Sequence, residues 1–312
     1  MPVHITASIG IVFYPKHGTT IKELFTKMNA AMFHAKKTGK GECHIYTLED
    51  NDLEKLHTSF EWMGRIQQAI EENRFTPWFQ PILDLKNNKI SHYEALARMQ
   101  DKDGNILQPS AFIETAERFG IIGAIDKIII EKTMRLQAET YQQGRHISFG
   151  MNLSGKDLGD EDFMAFIRSK IVETGARPEH LIFEITETAA VRDINKATKF
   201  IRDLKSMGCK FSLDDFGIGF TSFIYLREMD VDYIKIDGAF IKNLHKEYRD
   251  QLFVKAISDV AKGMKIKTIA EFVENEEIIT FLKRLDIDYA QGYAISKPAP
   301  WEEIKKVYAP DS

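Results

Sequence analysis

Short apolar runs alternate with amphipathic stretches along this chain from Phe75 onward. The runs have the length of strands, and the stretches between them repeat apolar residues at helical spacing. Alternating strands and helices are typical of an α/β fold with a parallel sheet. The pattern predicts strands at 78–85, 90–98, 148–152, 181–184, 210–214, 233–235, 267–271 and 289–293.

The segments between the predicted strands read as helices with defined ends. Predicted helices at 126–143, 160–174 and 193–207 are each followed by Gly, a common C-terminal stop. Roughly 235 residues, 75–308, suit a (β/α)₈ barrel of ~250 residues. Residues 86–89 are too few for a helical crossover between the first two strands, so one of those strands should be antiparallel. We therefore predict a TIM-type barrel with one antiparallel strand.

The first fifty residues form a separate pattern of strand (5–13), helix (20–37) and short strand (43–46). So short a segment does not bury a core of its own without disulfides or metal. We interpret residues 1–50 as a small α+β fragment of something larger, residues 51–74 as a connecting helix, and residues 75–312 as the barrel. The apolar stripe of the helix either packs on its own barrel or forms a two-stranded coil, and fewer than three heptads favour the first.

Composition excludes several classes of protein. A formal charge of -4 and a pI near 6.2 leave no basic surface for a nucleic-acid polymer. Cys43 and Cys209 lie far apart without metal-binding spacing, which suggests reduced thiols in the cytoplasm. No apolar run reaches the roughly 18 residues of a membrane span. We expect a cytoplasmic chain without membrane contact of its own, although a larger membrane-anchored sensor could contain it.

Acidic or amide residues stand at the ends of five predicted strands, at Glu94, Asn152, Glu184, Asp214-Asp215 and Glu271. In a barrel these ends meet at one rim. Carboxylates crowded there repel one another unless cations lie between them. All-oxygen ligands favour hard ions such as Mg²⁺ or Mn²⁺. The histidines lack metal-binding spacing, and we interpret His92 as a surface residue.

Three neighbouring groups add chemistry to this rim. Asp214 and Asp215 precede the glycine-containing loop at Gly217, so the adjacent carboxylates can bridge two ions. In the EITET run Glu184 can bind metal while Glu187 holds a neighbouring loop. Lys235, placed between acidic strands, should stay protonated. We interpret it as a charge stabiliser that orients water, and simple neutralisation of the acidic cluster is the alternative.

At the run from Tyr93 to Arg98, YEALAR, the chain resembles the EAL-domain cyclic-di-GMP phosphodiesterases. The likeness extends from Phe75 to Pro298. Further motifs follow in the family's order: FQPI at 79–82, NLS at 152–154, EITET at 184–188, DDFG at 214–217, KID at 235–237, AEFVE at 270–274 and QGY at 291–293.

The resemblance implies hydrolysis of cyclic-di-GMP to linear pGpG with two Mg²⁺ or Mn²⁺ ions, in a protein that forms a homodimer. The implied metal ligands are Glu94, Asn152, Glu184, Asp214, Asp215 and Glu271. The implied catalytic residues are Glu94, Lys235 and Glu271. The implied substrate contacts are Gln80, Leu96, Arg98, Asp237, Gln291 and Tyr293, with Glu187 and Glu274 as loop supports.

Residues 1–50 resemble the end of a GGDEF diguanylate cyclase domain, from ITASIGI to NAAMFHAKKTGKG. The GGDEF signature itself is missing, so we expect no cyclase activity. The expectation is a fragment of a tandem protein. In the barrel, Ile218, Phe220 and Thr221 depart from the usual loop sequence, which leaves the ligands intact and puts the anchoring of the loop in question.

Two other functions compete with hydrolysis. A catalytically silent receptor could bind cyclic-di-GMP and signal through partners, although such receptors commonly lose metal carboxylates that this chain retains. An unrelated barrel enzyme acting on a phosphorylated metabolite would make the motif set a coincidence, because fold alone does not assign function.

Overall fold

The computed structural model describes residues 6–38, 42–47, 52–218 and 223–308. The chain divides into two compact units, Met1–Gln68 with Glu114–Phe119, and Ala69–Ile113 with Gly120–Ser312. Within the described residues, no helix has both the length and the apolar character needed to cross a bilayer.

The first unit contains a small parallel strand pair. Its elements, with the helix that leads out of it, are β1 (Ile9–Ile11), α1 (Ile21–Thr38), β2 (Cys43–Ile45) and α2 (Asp52–Glu71). Ala30 and Ala31 of α1 are buried with Tyr46. The predicted strand at 5–13 is therefore shortened to Ile9–Ile11, and Ile5 lies outside the described residues.

The barrel and its helices make up most of the second unit. The strands are β3 (Phe75–Asp84), β4 (Lys89–Gln100), β5 (Ile106–Leu107), β6 (Phe149–Asn152), β7 (Leu181–Thr186), β8 (Lys210–Phe216), β9 (Tyr233–Ile236), β10 (Lys267–Ala270) and β11 (Tyr289–Ala290). The helices that follow α2 along the chain are α3 (Ile113–Phe119), α4 (Ile122–Gln142), α5 (Glu161–Thr174), α6 (Glu187–Arg192), α7 (Ile194–Ser206), α8 (Phe223–Leu226), α9 (Gly238–Ile241), α10 (Tyr248–Gly263), α11 (Glu276–Arg284) and α12 (Trp301–Tyr308).

Eight strands close the barrel, in the order β3-β11-β10-β9-β8-β7-β6-β4, and pairing of β3 with β4 completes the ring. β3 is antiparallel to both neighbours, whereas the other adjacent pairs in the ring are parallel. β5 is an extra antiparallel strand on β4. The predicted α/β barrel with one antiparallel strand is confirmed.

Capping residues explain why several helices begin where they do. The Asp160 carboxylate accepts hydrogen bonds from the backbone N–H groups of Asp162 and Phe163, and α5 ends at Gly175 with a left-handed φ of 71°. Such caps satisfy backbone groups that a helix end leaves unpaired. α4 starts at Ile122, four residues before the predicted start, and no side chain caps it.

The barrel interior beneath the predicted rim is apolar and aromatic. Ile82, Ile182, Tyr233 and Ile269 form a buried cluster there. His92 joins it: its ring lies 5.4 Å from the Tyr233 ring, and only 1% of the residue is exposed. The interpretation of His92 as a surface residue was wrong, because residues two apart on a strand share a face and His92 points inward as Glu94 does.

Candidate active site

Strand register places the predicted ligands next to one another at the C-terminal ends of the parallel strands. Glu94 of β4 is paired with Gly150 of β6, and Asn152 of β6 is paired with Glu184 of β7. Asp214 lies near the end of β8, and Glu271 follows the last residue of β10. Four strands that are neighbours in the barrel, β4, β6, β7 and β8, therefore supply predicted ligands to one barrel mouth, together with the end of β10.

Lys235 of β9 stands at the centre of this mouth and is 1% exposed. Its Nζ forms ion pairs with four carboxylates: Glu184 at 2.9 Å, Glu271 at 3.0 Å, Glu94 at 3.2 Å and Asp214 at 3.3 Å. Burial disfavours the ammonium, but the four anions outweigh burial and raise the pKa of Lys235 well above its ordinary value. Lys235 is thus a buried ammonium ion held by four carboxylates.

A single cation does not offset this many buried anions. Burial is the largest cause that raises the pKa of Glu184 to about 8, and the charges of Glu94 and Asp214 add to it. Burial and neighbouring carboxylates likewise raise the pKa values of three other carboxylates: Asp214, Asp215 and Glu271. The cluster therefore has a deficit of positive charge.

Glu94 is the exception, because amide donors surround it. Its Oε1 accepts from Asn152 Nδ2 at 2.7 Å and its Oε2 from Gln291 Nε2 at 2.6 Å. The same Gln291 nitrogen also donates to Gln80 Oε1 at 3.1 Å. Burial opposes ionisation of Glu94, but Lys235 and these amides prevail and lower its pKa.

The residues present fit divalent metal ions. Asp214, Asp215 and Glu271 each offer a carboxylate oxygen, all within 4.8 Å of one another. Glu184 Oε1 is fully buried and has no hydrogen-bond partner among the described residues. Buried polar atoms are rarely left without a partner. An all-oxygen donor set with unmet negative charge suits Mg²⁺ or Mn²⁺ better than zinc.

The segment after Asp214 has an unusual backbone. Asp215 adopts a left-handed φ of 53°, and its N–H donates to Asp214 Oδ1 at 2.9 Å. Gly217, with φ of 107°, donates its N–H to Glu187 Oε2 at 2.7 Å. Glu187 thus contacts the loop that it was predicted to support. Ile218 is exposed, whereas Phe220 and Thr221 lie outside the described residues.

Beside the carboxylates lies a cavity of about 350 Å³. Eight predicted residues line it: Gln80, Glu94, Leu96, Arg98, Glu271, Glu274, Gln291 and Tyr293. The Arg98 guanidinium donates to the Ala97 carbonyl at 2.8 Å and lies over the Trp78 ring. Burial lowers the pKa of Arg98, yet an arginine stays charged at any physiological pH. The cavity therefore places a fixed cation next to the acidic cluster.

Asp237 and Glu274 were predicted as a substrate contact and a loop support. Asp237 Oδ1 accepts from the Ala239 N–H at the start of α9, and its charge helps to raise the pKa of Asp215. Glu274 is exposed on the cavity wall. Sequence reasoning missed five residues of the cavity wall: Pro109, Lys242, Phe272, Gly292 and Pro298. Phe272 could have been noticed, since it directly follows Glu271; Lys242 gives no sequence signal.

Gly150 makes room for Glu184, because a Cβ at this position would lie 2.0 Å from Glu184 Oε1. We expect Gly150→Ala to displace that carboxylate and reduce metal-dependent turnover by about 100-fold, as disturbed ligand orientation does in other metal sites. Steady-state kinetics with metal titration would measure this. Gly263→Ala is the matched control, because a Cβ at Gly263 meets nothing within 4 Å. Equal activity of Gly150→Ala and Gly263→Ala would show that turnover does not depend on the space that Gly150 leaves for the Glu184 carboxylate.

A family model described as EAL domain matches residues 63–298. The chain is 41% identical over 294 residues to the cyclic di-GMP phosphodiesterase PdeB of Shewanella oneidensis, covering 94% of this chain and 34% of that protein. It is 32% identical over 306 residues to the bifunctional diguanylate cyclase/cyclic di-GMP phosphodiesterase MucR of Pseudomonas aeruginosa, covering 97% and 44%. The chain thus spans between a third and a half of the length of these relatives.

A solved structure with a similar fold is a PaMucR phosphodiesterase in complex with c-di-GMP. It superposes with a TM-score of 0.75 at 28% sequence identity, over 78% of this chain and 99% of that one.

Proposed function

This chain belongs to the EAL domain family, and we propose that it hydrolyses one phosphodiester bond of cyclic-di-GMP to give linear pGpG, lowering the concentration of this second messenger. The observation that carries the proposal is the convergence of Glu94, Glu184, Asp214 and Glu271 on Lys235. The acidic cluster is beside a cavity that contains Arg98. Curated relatives named as cyclic di-GMP phosphodiesterases support the choice of substrate.

Two Mg²⁺ or Mn²⁺ ions, when bound, would activate the attacking water and offset charge on the leaving oxygen. Four residues are proposed to hold one ion: Glu94, Asn152, Glu184 and Asp214. Asp215 and Glu271 are proposed to hold the other, with Asp214 shared. Ligands held at the ends of rigid strands need little rearrangement to bind an ion.

The remaining groups position the substrate and its charge. Arg98 is suited to a phosphate oxygen, since its planar guanidinium offers several donors. Lys235 keeps the carboxylates together, and Gln291 holds Glu94 in place. In the reaction the water oxygen bonds to phosphorus while the bond from phosphorus to the 3′ oxygen breaks. A proton lost by the water is balanced by one gained at the 3′ oxygen.

A turnover assay tests this function. Purified protein with Mg²⁺ should convert cyclic-di-GMP to pGpG, resolved by chromatography, and EDTA should stop the reaction. Tight binding without turnover in either Mg²⁺ or Mn²⁺ would instead support the receptor.

We also propose that residues 1–50 are the last part of a GGDEF domain. The alignment with MucR, a protein named as bifunctional, extends over 97% of this chain, which supports this origin. We also propose a cytoplasmic location, because Cys43 and Cys209 show the pattern of reduced thiols.

A homodimer is proposed as well. The helix α10 exposes apolar side chains at Tyr248 and Leu252, which supports a partner on this face. Light scattering that returns twice 35.8 kDa would agree with a dimer, and a monomer mass would oppose it.

A further inference from the structure

Phe272 occupies a backbone position that favours glycine. Its φ is 52°, in the left-handed region that bulky side chains rarely adopt. The neighbouring backbone is fixed on both sides: the Glu271 N–H donates to the Ile236 carbonyl at 3.1 Å, and the Val273 N–H donates to the Gln291 carbonyl at 3.0 Å. Glycine would therefore adopt this conformation with less strain than phenylalanine.

Burial does not explain why a phenylalanine stands there, since 51% of Phe272 is exposed. The ring is nevertheless held in place. It packs so closely on Gly238 that a Cβ there would lie 2.3 Å from Phe272 Cδ2, and Lys242 Nζ lies 4.4 Å from the ring centroid. A cation over a ring is attracted to its face. A strained, fixed and half-exposed aromatic side chain points to a ligand contact.

The position of Phe272 indicates the ligand. It lines the same cavity as Arg98 and follows Glu271, a carboxylate of the acidic cluster. A diester bound between that arginine and the carboxylates has a base attached nearby through its ribose. Purine bases stack on exposed aromatic rings, because every base has a π face.

We propose that Phe272 is a substrate-binding residue that stacks against a guanine base of cyclic-di-GMP; this rests on the proposed function. Phe272→Ala should raise the KM for cyclic-di-GMP by about tenfold, the lower part of the range for loss of one stacked base. The kcat should stay within about twofold, since stacking stabilises the bound substrate and the transition state alike. Phe272→Trp keeps an aromatic ring, so its KM should stay close to that of the wild type.

Two further measurements separate stacking from a structural role. A cyclic dinucleotide with 2-aminopurine in place of one guanine should lose part of its fluorescence on binding to the wild type, because stacking quenches that base. Phe272→Ala should abolish that quenching. Gly238→Ala, which displaces the ring without removing it, should raise the KM as well. The matched control is Phe281→Ala, another aromatic residue covered by a cation, Arg284, on α11 away from the cavity.

The outcomes are distinct. An unchanged KM and unchanged quenching in Phe272→Ala would overturn the inference, as would equal effects of Phe272→Ala and Phe281→Ala. A lower kcat with an unchanged KM would also overturn it and would assign Phe272 to support of Glu271. A wild type that binds cyclic-di-GMP without turnover would refute the proposed function alone. The Kd of the same variants, measured by calorimetry, would then decide the role of Phe272.

Discussion

Replacement of Glu94 by alanine should reduce turnover of cyclic-di-GMP by about three orders of magnitude or more, because metal ligation contributes several kcal/mol to the transition state. Glu94 is the carboxylate whose pKa is lowered, so it is ionised and ready to bind a cation. It also links the acidic cluster to the cavity through Gln291 and Gln80.

The loss must be shown to be chemical rather than structural. Circular dichroism and thermal melting should match the wild type, since Lys235 keeps three carboxylate partners. Glu94→Gln keeps the size of the side chain and removes the charge, and we expect it to be almost as inactive. Glu303→Gln, an exposed position on α12, is the control. Wild-type rates in both Glu94 variants would remove Glu94 from the proposed metal site.

Lys235→Met is expected to destabilise the protein when metal is absent. Four buried carboxylates would lose their common cation, and breaking a buried ion pair typically costs about 3–5 kcal/mol. Mg²⁺ or Mn²⁺ should restore part of this stability, because ions bound to the same carboxylates replace the lost positive charge. Turnover should remain low even with metal, since the proposed water-orienting group is gone.

Urea unfolding with EDTA and with Mn²⁺ would measure both effects. The control is Lys267→Met, which removes an exposed pair with Asp288 at 2.6 Å; such pairs contribute about 0–1 kcal/mol. A Lys235→Met variant as stable as the wild type in EDTA would mean that the carboxylates are protonated and need no cation. Full turnover in Lys235→Met would contradict both proposed roles of Lys235, which are to keep the carboxylates together and to orient the attacking water.

The sequence predicted the barrel well because strands such as β7 and β9 are nearly all apolar and three of the helices are followed by glycine, at Gly144, Gly175 and Gly208. The loop at 86–89 was informative, since its length alone required an antiparallel neighbour, which β3 provides. Short elements were missed: β5 has two residues, too few for a periodic pattern. The helix α4 begins at Ile122, four residues before the predicted start at Asp126. No side chain caps this end, so the sequence carried no capping signal for it.

Prediction of the candidate site had a different limit. Strand ends carry carboxylates in a recognisable order, so their meeting at one mouth follows from topology alone. The side-chain contacts between residues far apart in the sequence cannot be predicted from topology. Hydrogen bonds connect Gln80 on β3 to Gln291, which directly follows β11, and connect Gln291 to Glu94 on β4. The contact of Lys242 with Phe272 likewise depends on the path of two loops, which no local pattern specifies.

The most direct test of the account is a crystal grown with Mn²⁺ and examined by anomalous diffraction. Two peaks about 3.5–4 Å apart, as in other two-metal sites, should lie between Glu94, Glu184, Asp214, Asp215 and Glu271. Absence of anomalous density among these carboxylates at saturating Mn²⁺ would contradict the claim that they form a two-metal hydrolytic centre.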